Sequence, residues 1–96
     1  MLWTSHSRAK MNFYRLSESR VKKVINMPER IERGVAPDTI ALMQSVNTAK
    51  HPYEIWVMIQ ETEGERKVVS AWRYPGRTKV GEPFPVKILE ELGAVP

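Results

Sequence analysis

His6-Ser-Arg-Ala-Lys10-Met-Asn-Phe-Tyr14-Arg-Leu-Ser17-Glu-Ser-Arg-Val21-Lys-Lys-Val24-Ile25-Asn-Met-Pro28 is the stretch that decides the fold. Two helical periods lie in it. His6, Lys10 and Tyr14 recur at every fourth position, so an imidazole, an ammonium and a phenol share one stripe of a helix running to about Tyr14. That stripe is polar where a plain core helix would be apolar. Ser5 or Ser7 is the candidate N-cap, and Leu2 to Thr4 reads as a short strand or as the run-in to the helix. Ser17 offers the N-cap of a second helix to about Met27, in which Val21, Val24 and Ile25 form the buried stripe and Pro28 blocks continuation.

Beyond the helical pair the period changes from helix to strand. Arg30 to Val35 alternates weakly and suits a strand, with Gly34 and Pro37 as punctuation. Thr39 to Val46 fits a strand through Ile40, Leu42 and Val46, or a short helix through Ile40, Met43 and Val46; the strand fits slightly better. Tyr53 to Gln60 is β-branched and aromatic, and Lys67 to Tyr74 returns as its antiparallel partner after the polar turn Glu61 to Arg66. Pro75 and Gly76 end that strand, Arg77 to Pro85 reads as an extended basic loop, and Val86 to Leu92 as a short helix closed by Gly93. The expectation is one α+β domain over 1–96: a helical hairpin (1–28) packed on a roughly four-stranded antiparallel sheet (30–74), then a basic loop and a C-terminal helix (75–96).

Composition narrows the chemistry. Ninety-six residues hold one modest core, and 42% hydrophobic with 27% charged residues is an ordinary globular balance. No apolar run approaches the roughly 18 to 20 residues of a membrane span, and Met1 to Lys10 lacks a signal-like stretch, so the expected place is the cytoplasm, without membrane contact. With no cysteine and only two histidines, His6 and His51, the chain carries no sulfur-ligated metal and no metal-ligand motif. No cofactor is expected. A net charge of +4 and a pI near 9.6 favour polyanionic partners.

The order His6, three residues, Lys10-Met11, then Leu16-Ser17, Val21 and Pro28 resembles the pattern of a small prokaryotic family of unknown function. That family is grouped by fold with the barnase, EndoU, colicin and RelE-like ribonucleases. Its usual form continues with Arg-Ile-Glu, as at 30–32, and with a hairpin ending like Val68-Val-Ser-Ala-Trp-Arg-Tyr74. The resemblance implies a RelE- or barnase-like fold with a site between the first helix and the sheet. It further implies a toxin-type endoribonuclease held by an acidic antitoxin protein. The chain departs from the pattern in having Lys10 and Tyr14 where Arg is expected, and extra residues between Gly34 and Pro52.

Metal-free RNA cleavage needs a base for the 2′-hydroxyl proton, an acid for the leaving oxygen, and cations for the charge that builds on phosphate. His6 suits either proton-transfer role; Lys10 or Arg73 suits the phosphate, and Tyr14 or Tyr74 a proton or a base stack. The candidate catalytic set is His6, Lys10, Tyr14 and Arg73. The candidate RNA contacts are Arg8, Lys67, Ser70, Trp72, Tyr74, Arg77 and Lys79, in which cations interleave with aromatic rings. Each residue also has an ordinary reading: His6 as a cap, Lys10 and Tyr14 as a solvated face, and His51 as a loop residue. On the last strand, either Ser70, Trp72 and Tyr74 line the open face, or Trp72 is core and Lys67 and Arg73 line it. The alternative function is a catalytically inactive RNA- or protein-binding module of the same fold, monomeric or homodimeric.

Overall fold

In the computed structural model, which describes residues 1–48, 50–81 and 84, the first element is already an addition to the expected sheet. Leu2–Trp3 forms β1, which pairs parallel to the last strand, β5 (Glu65–Pro75), with Leu2 opposite Lys67 and Trp3 opposite Val68. The remaining strands are β2 (Arg30–Arg33), β3 (Thr39–Val46) and β4 (Tyr53–Thr62), and the order across the sheet is β1-β5-β4-β3-β2. The sheet is therefore five-stranded and mixed rather than four-stranded and antiparallel. Two residues are too few to carry a periodic signal, and their pairing is fixed by Thr4, whose N–H donates to the Val68 carbonyl at 3.2 Å.

Thr4, rather than Ser5 or Ser7, caps α1 (Ser5–Tyr14): its hydroxyl oxygen accepts the Ser7 N–H while the Ser7 hydroxyl donates back to the Thr4 carbonyl at 2.8 Å. At the other end Arg15 adopts a left-handed conformation (φ 57°), with N–H bonds from Arg15 to Asn12 O and from Leu16 to Met11 O. This is a Schellman closure, and it packs Leu16 with Met11 in the core. Ser17 caps α2 (Glu18–Asn26) as its sequence suggests, and Val21, Val24 and Ile25 are buried. Gln44 of β3 finishes that helix, its amide donating to the Lys23 and Met27 carbonyls while its oxygen accepts Arg20 Nη1 at 2.6 Å.

β4 and β5 meet through Glu63 and Gly64, both at positive φ, the pattern of a tight two-residue hairpin turn. Their ladder is regular except at one place: Met58 faces Ser70 and Ile59 faces Val68, leaving Val69 as a bulge. The extra residue breaks simple alternation, so Val68 and Ala71 pack together beneath the helices with Val57 and Ile59. Trp72 is fully buried on the opposite face, with Trp56, Met58, Ala41 and Met43. Both faces of the sheet thus carry a core.

The second face is covered by chain that follows β5. Trp56 and Trp72 lie with ring planes 3° apart, and Phe84 tilts against both. Buried Glu54 accepts the Trp56 indole N–H at 2.9 Å and the Thr78 hydroxyl at 2.6 Å, and Arg30 donates to the Thr78 carbonyl and hydroxyl while its guanidinium sits 4.9 Å above Trp56. Residues 77–79 form an irregular segment and Val80–Gly81 a turn, with Gly81 at positive φ, so the stretch expected as an extended loop serves as a strap over a tryptophan pair. β2 ends at Arg33, two residues short of Val35. The helix expected at Val86–Leu92 lies outside the described residues. Among the described residues no helix is long and apolar enough to cross a membrane.

Candidate functional site

α1 lies against β5, whereas α2 lies on β3 and β4, because β1 feeds directly into α1 at the β5 edge. Two stripes run down α1 side by side. Ser7 and Met11 are buried, and His6, Lys10 and Tyr14 are half-buried next to them. This division follows from the helical period: positions 7 and 11 are one residue, roughly 100° of rotation, away from 6 and 10.

His6 Nε2 stands 3.3 Å from the Ser70 hydroxyl oxygen. The mouth of the helix is fixed there because the Thr4 hydroxyl is shared between the Val68 and Val69 carbonyls, the second belonging to the bulge. At the far end of the stripe Tyr14 packs against both core clusters, and its carbonyl accepts Arg73 Nη2 at 2.9 Å. The Arg73 guanidinium also lies 4.6 Å from the centre of the Tyr53 ring. Lys10 stands between the two ends, its ammonium 5.8 Å from the Phe13 ring centre, and Phe13 is 67% exposed.

His6, Lys10, Tyr14, Ser70 and Arg73 are thus brought to one seam between α1 and β5. The other candidates are dispersed. Arg8 turns toward α2, over the Trp3 ring and 3.5 Å from a Glu18 carboxylate oxygen. Lys67 is half-buried opposite Leu2 and Gln60. Trp72 is sealed in the second core, and Tyr74 packs at its margin. Arg77 is exposed and donates to the Tyr53 carbonyl at 3.2 Å; Lys79 lies on the strap, where its carbonyl accepts Arg30. Ser70 is itself buried, so its hydroxyl reaches a ligand only through His6.

Thr4, Tyr53 and the Val69 bulge are the site-forming residues that sequence reasoning missed. The Thr4-x-x-Ser7 spacing is a legible capping signal. Tyr53 and Val69 act through register, which leaves no local mark. A concavity of about 560 Å³ follows Arg33 to Ile40 at the β2–β3 turn, on the opposite side of the sheet from His6. Gly34 is required there, since a Cβ would fall 2.6 Å from the Thr39 carbonyl carbon.

No protein-family model matches the chain, and neither a curated protein nor a solved structure does.

Proposed function

We propose that this chain is an endoribonuclease that cleaves RNA without a metal, working at the α1–β5 seam. The observation that carries the reading is the His6, Lys10, Tyr14 stripe set along β5 with the His6 imidazole against Ser70. In this reading His6 takes the proton from a ribose 2′-hydroxyl, and that oxygen forms a bond to the adjacent phosphorus. The bond from phosphorus to O5′ breaks, and O5′ takes a proton from solvent, while Tyr14, about two helical turns from His6, is placed to stack on a neighbouring base. Lys10 meets the charge on the phosphate oxygens. The products are a 2′,3′-cyclic phosphate and a 5′-hydroxyl.

A pair of short helices followed by an antiparallel run from β2 to β5 supports a RelE- or barnase-like reading of the fold. The toxin-type role goes with it: an acidic antitoxin protein would cover Lys10 and its basic neighbours, in the cytoplasm where the RNA is. One observation favours the second reading, a binding module without chemistry. Arg73 is committed to the Tyr14 carbonyl and the Tyr53 ring, and so is turned from phosphate toward holding the helix end.

The test is incubation of mixed single-stranded RNA with purified protein in chelator, wild type beside His6→Ala. Cleavage to cyclic-phosphate ends that is lost in the variant supports the enzyme. RNA bound but intact with a folded wild type moves the assignment to the binding module. Neither cleavage nor binding removes both.

A further inference from the structure

We propose that β2 joins two copies of this chain, the strands pairing antiparallel about a two-fold axis at Ile31. β2 ends the sheet, with β3 on one side and no strand on the other among the described residues. The Gly34 N–H donates to the Thr39 carbonyl at 2.8 Å. By the alternation of an antiparallel ladder, Glu32 and Arg30 also bond toward β3, so the main-chain N–H and C=O of Ile31 point away from the sheet. A two-fold axis at Ile31 would let these groups bond their own copies, closing a pair of main-chain hydrogen bonds.

The charge order selects that register. Glu29-Arg30-Ile31-Glu32-Arg33 reads minus, plus, neutral, minus, plus. Reversed upon itself about Ile31, it sets Arg30 opposite Glu32 on both sides of the axis and brings Arg33 toward Glu29, whose carboxylate the Ser45 N–H and hydroxyl already hold just before β2. Moving the axis by half a residue, to between Ile31 and Glu32, sets Arg30 opposite Arg33, and like charges directly opposite are unfavourable.

The apolar component fits the same axis. Ile31 is 60% exposed on the face that carries the helices, because α2 packs mainly on β3 and β4. Ile40, 37% exposed, stands on that face one strand inward, opposite Arg33. On the other face Arg30 and Glu32 are already held: Arg30 Nε lies 3.1 Å from Glu32 Oε2, and the Gly81 N–H donates to Glu32. Such preordered groups lose little freedom on pairing. A strand of four residues makes a small contact, so the dimer is a weak one, seen at high micromolar protein.

The absence of cysteine gives a direct test. At a hydrogen-bonded antiparallel pair the two Cα atoms stand about 5.5 Å apart, within disulfide reach, so Ile31→Cys should cross-link to itself under mild oxidation. Arg33→Cys serves as the control, because its two copies would stand roughly 13 Å apart. Sedimentation of the wild type up to about 1 mM should show a dimer, weakened at least ~10-fold by Arg33→Glu. Near-ultraviolet circular dichroism of the buried tryptophans checks that each variant is folded. A wild type that stays monomeric throughout, or cross-linking no faster at position 31 than at 33, would overturn the proposal. RNA cleavage or binding has no part in these readouts.

Discussion

The His6 imidazole nitrogen Nε2 and the Ser70 hydroxyl stand 3.3 Å apart, although 64 residues separate them in sequence. Ser70 is fully buried, so the contact fixes the orientation of the ring at the start of α1.

If His6 is the base, His6→Ala should lower RNA cleavage by about 10²- to 10⁴-fold. Ser70→Ala should leave the imidazole present but less ordered, with a smaller loss. Histidine ring nitrogen shifts report the second change directly: the tautomer mixture should move in Ser70→Ala. An unmoved tautomer mixture, with cleavage still reduced, would separate Ser70 from His6.

Arg73 joins β5 to the end of α1 by one bond to the Tyr14 carbonyl, and to β4 by its contact with the Tyr53 ring. Arg73→Ala should therefore destabilise the protein by about 1–3 kcal/mol in urea unfolding, since the bond is charge-assisted and partly shielded. Hydrogen exchange should quicken at the last turn of α1 ahead of β4. If stability holds while RNA binding falls, Arg73 instead contacts the ligand.

Arg15 closes α1 in a left-handed conformation that costs a side chain about 1–2 kcal/mol and costs glycine little. Arg15→Gly should raise stability by up to that amount, with the Leu16 and Met11 contact kept. A lowered melting temperature would mean that the arginine side chain holds something the backbone geometry does not reveal.

Gln44 is buried and bonds two carbonyls at the end of α2 as well as Arg20. Gln44→Leu keeps the volume but strips those partners, and should cost about 1–3 kcal/mol. Gln44→Glu should cost more than its size suggests, because two carbonyls would then face a carboxylate that has no N–H to offer. Equal stabilities for the two variants would contradict this account.

The β4–β5 hairpin and both helices were legible because each repeats one local signal: β-branched and aromatic residues over Tyr53 to Gln60, and the i, i+3, i+4 stripe of Val21, Val24 and Ile25. The ambiguity at Thr39 to Val46 has a physical cause. Ala41, Leu42, Met43 and Gln44 are all buried, so β3 has no solvent face to make its residues alternate. β1 was illegible as the fifth strand because its pairing depends on Thr4 meeting a strand more than sixty residues away. In sequence the strap has only the composition of a basic loop, since Thr78 and Glu54 form a pair only in three dimensions. At the site, the helical stripe was visible in sequence. The partner of His6 was one candidate among several, because one residue of bulge decides which side chains of β5 share a face.

That bulge has a consequence for how such a protein can change over time. Removing Val69 would leave a regular ladder in which every other β5 side chain keeps its facing. It would also withdraw one of the two carbonyls that anchor the Thr4 hydroxyl, while Val68 and Ser70, already opposite the adjacent Ile59 and Met58, would keep their places. Composition, charge and the His6 to Pro28 motif would all survive such a deletion, while the hydroxyl at the helix mouth would hold on by one carbonyl in place of two. In a lineage of related chains, the firmness of the α1 mouth would therefore travel with a single codon's length, while every motif in the sequence stayed the same.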